Sequence, residues 1–242
     1  MAKIRLDRLL VEKGLAESRE KAQALVMAGQ VLVGDRMAAK AGHLVDQDET
    51  ITIKERLPYV SRGGIKLAHA LEQFQLPISG KVALDVGAST GGFTDCLLQR
   101  GAQRVYALDV GYGQLDYRLR SDPRVVVMER VNARYPFTLP GPVDLATVDV
   151  SFISLTKVIP SVREHLKPEG YIVALLKPQF EAERSEVGKG GVIKDPAVQA
   201  RILGRFVLWV VEQRIRLRGL TPSPILGDKG NREFFCLLEP LL

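Results

Sequence analysis

The sequence predicts an α/β protein: a mostly parallel, doubly wound sheet with helices on both faces, preceded by a small α+β module. Two observations carry this. Five short apolar runs, 81–86, 104–110, 124–128, 143–148 and 171–176, are separated by helical stretches or loops, as parallel strands buried on both faces are. Ahead of them, residues 1–60 hold helix-period and strand-period segments too short to belong to such a sheet.

In the leading module, residues 5–13 place Leu6, Leu9 and Leu10 on one helical face, and Gly14 suits the stop. Ser18 is a good N-cap for a second helix burying Ala22, Leu25, Val26 and Ala28, with Gly29 ending it. Val31–Val33 and Thr50–Ile53 read as short strands, and Gly34-Asp35-Arg36 as a turn. Residues 55–64, with Pro58 and the pair Gly63-Gly64, have the composition of a linker. The expected division is therefore 1–60 and 61–242.

In the larger part a helix from Ile65 carries Leu67, Ala68 and Leu71 inward. Beyond the fifth run a long helix is expected over 196–213, its apolar centre Phe206–Val211 packing on the sheet. Two last strands follow at 216–220 and 233–238.

Composition excludes more than it assigns. Hydrophobic residues make 46% of the 242 and charged residues 26%, ordinary for a soluble globular protein. No apolar run approaches the roughly 20 residues a bilayer needs, and the charged start MAKIRLDRLL is no signal peptide. Cys96 and Cys236 lack metal-like neighbours, so a reduced, cytoplasmic protein without a metal is expected. His43, His69 and His165 stand isolated. A net charge of +6 and a pI near 9.4 hint at a polyanionic partner. The hint is mild, because residues 1–60 carry ten Lys/Arg against nine Asp/Glu.

The first run leads into Asp85-Val86-Gly87-Ala88-Ser89-Thr90-Gly91-Gly92-Phe93 and a helix. Ligands bind at the C-terminal ends of strands in open α/β sheets, and glycine lets backbone turn tightly and approach a ligand there. The spacing is G-x-x-x-G-G, not the G-x-G-x-x-G of a dinucleotide fold. A carboxylate at Asp85 suits the ammonium of a methionine tail, and loop amides suit its carboxylate. Asp109, 24 residues on, can accept both hydroxyls of a ribose, and Asn132 can meet an adenine edge. The expected ligand is S-adenosyl-L-methionine on a Rossmann-like sheet. Its site is expected to comprise Asp85, Gly87 to Phe93, Asp109, Val110, Asn132 and Asp149.

Four polar residues stand among apolar or glycine neighbours: Lys66, Asp149, Lys177 and Glu233. Lys177 and Asp149 end strands on the edge that carries the glycine loop. A cation there suits a hydroxyl nucleophile, whose proton must leave as the methyl arrives. Burial and a second lysine would depress the pKa of Lys177 and let it act as a base, with Asp149 and Glu233 holding it.

Two resemblances sharpen this reading. Arg5-Leu6-Asp7-Arg8-Leu9-Leu10, Ser18-Arg19-Glu20-Lys21-Ala22 and Gly29-Gln30-Val31-Leu32-Val33-Gly34 resemble the small RNA-binding domain first described in ribosomal small-subunit protein four. That resemblance implies Arg5, Arg8, Arg19 and Lys21 as contacts to the RNA backbone. The whole chain resembles the TlyA ribosomal RNA 2′-O-methyltransferases, which were historically labelled haemolysins and are related to the FtsJ-type enzymes. The resemblance rests on Ser61-Arg62-Gly63-Gly64 with Lys66, on Asp85–Phe93 and Asp109–Leu115, and on Asp149–Leu155, Leu176–Phe180 and Gly230–Phe234.

The TlyA resemblance implies Lys66, Asp149, Lys177 and Glu233 as the catalytic set. Its substrate is a cytidine 2′-hydroxyl in ribosomal RNA, from both subunits in some members. The chain's short ends favour large-subunit RNA. Arg62 joins the expected RNA contacts, and the charged, glycine-bearing segment 181–194 is expected to form a mobile flap over the RNA site. Direct membrane lysis and NAD-dependent oxidation are disfavoured, by the missing spanning segment and by the loop spacing.

Overall fold

Residues 3–27, 29–53, 57–188 and 190–240 are described by a computed structural model, and the chain divides into two units, residues 1–57 and 58–242. In the first unit β1 (Lys3–Arg5) runs straight into α1 (Leu6–Glu12), followed by α2 (Arg19–Met27). Then come β2 (Val31–Val33), β3 (Arg36–Met37), β4 (Leu44–Asp46) and β5 (Ile51–Ile53). β1 pairs antiparallel with β4, and β2 lies between β3 and β5. Leu6, Leu9, Leu10, Ala22, Val26, Val31 and Val45 form the core.

Arg5, expected as the first helical residue, is instead the end of β1 and the N-cap of α1. Three-residue strands such as β1 and β4 are too short for a period-2 pattern to show. Ala28, expected on the buried side of α2, lies outside the described residues.

The second unit starts with α3 (Arg62–Gln73) and lays down β6 (Val82–Val86), α4 (Gly92–Gln99), β7 (Arg104–Asp109), α5 (Tyr117–Arg120) and β8 (Val125–Glu129). It continues through β9 (Val143–Val148), α6 (Ile159–Arg163), β10 (Leu166–Leu176) and α7 (Pro178–Glu181). α8 (Pro196–Glu212), β11 (Ile215–Pro222) and β12 (Phe234–Pro240) complete it. The sheet order is β11-β12-β10-β9-β6-β7-β8, parallel from β10 to β8, with β12 antiparallel to both its neighbours.

Alternate residues of each strand serve opposite faces. Ala83, Val105, Ala107 and Leu145 pack with Leu67 and Leu71 of α3 and Leu97 of α4. Leu84, Tyr106, Leu108 and Ala146 pack with Ile159 and Val162 of α6 and Phe206 and Val210 of α8. The continuous apolar runs of the sequence are thus explained by cover on both sides.

One expectation about irregular chain needs correction. The glycine pair Gly63-Gly64 lies in the first turn of α3, which begins three residues before the expected start, and Tyr59 and Val60 pack against the core. A Cβ on Gly64 would sit 2.2 Å from Cγ of Tyr59. The glycine is there for close packing, not for a linker; residues 55 and 56 lie outside the described chain. The described residues of 181–194 bond to α8 and to the chain before β12. Glu186 accepts from Arg201 and Arg205 of α8, and Asn231 Oδ1 accepts from Ile193 N at 3.1 Å.

Candidate active site

After β6 the backbone turns through the left-handed region at Gly87, Ser89 and Gly91, with φ of 84°, 49° and 94°. The sequence suggests that these glycines make room for a ligand. The structure gives another reason for two glycines of the loop. A Cβ on Gly87 would meet the carbonyl oxygen of Asp149 at 2.3 Å, and one on Gly92 would meet Ser61 Oγ at 2.2 Å. The loop is threaded between the end of β9 and the start of α3. Because neighbouring chain comes so close, the loop and α3 can share one cavity.

That cavity holds about 230 Å³. Ser61, Arg62, Gly63 and Lys66 line it from one side, Gly87, Ala88, Ser89, Thr90, Gly92 and Phe93 from the loop, and Asp149 from the end of β9. Six of the seven loop residues expected to hold a cofactor therefore face it, together with Asp149. Gly92 and Phe93 open α4, where the first amides of a helix have no helical acceptor.

Asp85, Gly91, Asp109, Val110 and Asn132 do not line it. Asp109 instead braces the loop ends: Oδ2 accepts from Ser89 N at 2.8 Å and Oδ1 from Gly111 N at 2.6 Å. Each carboxylate oxygen retains acceptor capacity after one such bond. Val110 beside it is an exposed apolar side chain, and Asn132 is exposed, its Oδ1 accepting from Arg134 N at 3.0 Å.

Asp85 departs most from expectation. Its carboxylate is buried beneath the loop, accepting from Thr94 Oγ1 at 2.7 Å and Thr147 Oγ1 at 2.9 Å. Burial pushes its pKa up to about 6, against the pull of the two threonines, and the charge of Asp149 adds to the rise. An unfolded Asp titrates near 3.8, so the folded state holds this proton more tightly. The stability that follows is complete below about pH 4 and is lost as pH rises through 6, a difference of roughly 3 kcal/mol. Asp85→Asn should flatten the pH dependence of the urea midpoint between pH 4 and 7; an unchanged slope would remove Asp85 as its source.

The four polar residues assemble as two ion pairs. Lys177 Nζ lies 2.6 Å from Asp149 Oδ1, and Lys66 Nζ lies 2.6 Å from Glu233 Oε2. Glu233 thus holds Lys66 and not Lys177, correcting one expectation. Glu233 sits just before β12, so closely against Gly227 that a Cβ there would be 2.0 Å from Oε1. Lys177 meets Asp149 too obliquely for a hydrogen bond but donates to Ser151 Oγ at 3.0 Å. Asp149 Oδ1 therefore keeps its lone pairs.

Several neighbours carry little signal in the sequence. Glu181 of α7 accepts from Ser154 Oγ at 2.5 Å and Leu155 N at 2.7 Å, tying the chain after β9 to the chain after β10. Burial raises its pKa. Phe152, with φ of 62°, is 92% exposed and lies 5.1 Å from the Phe180 ring. The available hint is a large apolar residue close to polar ones, as in Ser151-Phe152-Ile153-Ser154.

Of the expected RNA contacts, Arg62 is exposed at the cavity. In the first unit Arg8 is exposed, Lys21 is exposed and paired with Glu17, and Arg5 and Arg19 both bond to Asp7. Asp7 does not stand out in the sequence, because a polar residue on an amphipathic helix normally faces water.

Comparison with known proteins agrees with this architecture. Residues 59–239 match the FtsJ-like methyltransferase family and residues 4–51 the S4 domain. A Bacillus subtilis protein provisionally named as an rRNA methyltransferase, YqxC, is 50% identical over 98% of this chain and 86% of its own. The 16S/23S rRNA (cytidine-2'-O)-methyltransferase TlyA of Mycobacterium tuberculosis is 45% identical over 97% of this chain and 89% of its own. Among solved structures, a Streptococcus thermophilus protein provisionally named as a hemolysin superposes with a TM-score of 0.76 at 42% identity, covering 100% of this chain and 90% of that one. Among the described residues of this chain, no helix is long and apolar enough to cross a membrane. The chain belongs to the FtsJ-like methyltransferase family, in the branch that carries an S4 domain ahead of the catalytic sheet.

Proposed function

We propose that the protein methylates the 2′-hydroxyl of a cytidine in ribosomal RNA, using S-adenosylmethionine. The observation that carries this reading is the Lys177–Asp149 pair at the sheet edge, beside a cavity that Lys66 and Asp149 both reach. S-adenosylmethionine supplies an electrophilic methyl group. The amides of Gly92 and Phe93 suit its carboxylate, Asp149 rather than Asp85 is the carboxylate available to its ammonium, and Asp109 has acceptor capacity left for ribose hydroxyls. Val110 and Asn132 stand beyond Asp109 as candidates for the adenine.

On the acceptor side, the Lys177 cation stabilises negative charge developing on the attacking oxygen, and the departing proton passes into the Lys177–Asp149 pair. Lys66, neutralised by Glu233, holds the nucleotide that presents the hydroxyl. Arg62 reaches the RNA backbone, and the exposed Phe152 ring offers a face on which an unstacked base can lie. A cytoplasmic site of action follows from the substrate.

The test is transfer of labelled methyl to naked ribosomal RNA and to isolated ribosomal subunits, with nucleoside digestion to locate the label. 2′-O-methylcytidine is the expected product, with large-subunit RNA as the first arm and small-subunit RNA as the second. No label in either RNA, or label on a base, would overturn the reading.

A further inference from the structure

We infer that Asp7 is the positioning residue of the RNA-binding face, holding Arg5 and Arg19 as a preformed two-guanidinium receptor for one backbone phosphate. This rests on the RNA-binding role proposed for the first unit.

Asp7 sits in the first turn of α1 with its side chain fully buried, although it is ionisable. Four donors converge on it. Arg5 Nε reaches Oδ1 at 3.1 Å, while Arg5 Nη2, Arg19 Nη2 and Gln23 Nε2 reach Oδ2 at 2.9, 3.1 and 3.0 Å. One carboxylate thus gathers side chains from β1 and α2 onto α1. These bonds, that of Arg5 foremost, hold the carboxyl far below the usual carboxylate range, so it is charged at any working pH.

The two arginines are not consumed by this. Their side chains stay 45% and 50% exposed. Arg5 spends the Nε and Nη2 edge of its guanidinium on Asp7, and the absence of a side chain at Gly42 leaves room beside Nη1 and Nη2, which a Cβ there would approach to 3.3 Å. Arg19 spends only Nη2. Among the described residues, the other N–H groups of both arginines have no acceptor. Two cations share the Asp7 anion, so these three groups together keep a positive charge; the Glu20 carboxylate beside Arg19 offsets part of it.

Two guanidiniums bonded to one oxygen are held near each other, and planar donor forks recognise an oxyanion with paired hydrogen bonds. Arginines ordered by folding lose little freedom when a phosphate arrives. In the alternative account Asp7 only clamps α1 to α2, and the arginines act as loose charges.

The two accounts differ in sign. Asp7→Asn makes the protein more positive, so loose charges predict equal or tighter RNA binding. Positioning predicts weaker binding. Affinity of the full-length chain for purified large-subunit ribosomal RNA should be measured from about 50 to 200 mM salt. We expect Asp7→Asn to bind about tenfold more weakly, with a salt slope reduced by about one phosphate contact. Circular dichroism reports whether the first unit is folded. Arg5→Lys, which keeps the charge but not the bidentate bond, should show the same loss and covers the case in which Asp7→Asn does not fold. Unchanged affinity and slope in Arg5→Lys, or in a folded Asp7→Asn, overturns the positioning role. The double variant Arg5→Ala/Arg19→Ala separates the two layers. If it binds as the parent does, the RNA-binding role of this face fails; if it weakens while a folded Asp7→Asn does not, only the positioning role fails.

Discussion

Replacing Lys177 with alanine is expected to lower methyl transfer to ribosomal RNA by about 10²–10⁴-fold. Lys177 touches both Asp149 and Ser151 at the end of β10, and among the described residues no second cation is bonded to either. Its loss removes the charge facing the attacking oxygen and leaves Asp149 without its counter-ion. Lys177 does not line the cavity of the glycine loop, so affinity for S-adenosylmethionine, measured by calorimetry, should stay within about threefold. Lys177→Arg should not restore the rate, because a broad planar guanidinium does not fit where a compact ammonium sits. A Lys177→Ala enzyme that transfers methyl at near the parental rate would place the reacting hydroxyl elsewhere.

The second large effect belongs to a residue with no side chain. Gly87→Ala should destabilise the second unit by about 3 kcal/mol and abolish most cofactor binding. Its φ of 84° strains any L side chain, and the new Cβ would overlap the Asp149 carbonyl oxygen. Relief requires the ends of β6 and β9 to part. That would break the bond from Asp149 N to Val86 O and move Asp149 relative to the loop. The readouts are the urea midpoint and S-adenosylmethionine binding by calorimetry. A variant of parental stability and affinity would show that the strand ends yield more easily than their packing suggests.

Much of this arrangement is legible because the sheet writes itself strongly. β9 matches its apolar run residue for residue, and α8 its periodic stretch to within one residue at the C-terminal end. Short elements are not legible. β1 and β4 are three residues each and pair across the sequence, so nothing local distinguishes them. At the site, residue types announce that Lys66, Asp149, Lys177 and Glu233 are unusual, but not who pairs with whom. Lys66 meets Glu233 across 167 positions, a contact that only the insertion of β12 beside β10 creates. Asp85 misleads for a related reason. A carboxylate at a strand end looks available to a ligand until Thr94 and Thr147 are seen to enclose it. Asp7 is hidden by the opposite assumption, that a charge near a helix start belongs to water.

The place of β12 bears on when the molecule becomes competent during synthesis. β12 is the last strand of the described chain, yet it lies inside the sheet, between β10 and β11. A ribosome emits chain from the N-terminus, so β6 to β10 can pair while β12 is still in the exit tunnel. Throughout that interval β10 has an open edge, and Phe235 and Leu238, which fill opposite faces of the core, are missing. Lys66 has no Glu233. A nascent chain can therefore build the strands around its glycine loop before its acceptor side exists. The closing event is a long-range one, which is intrinsically slow, and it coincides with completion of the core. Assembly and competence are thus one step: until β12 enters the sheet beside β10, the chain lacks the completed acceptor site.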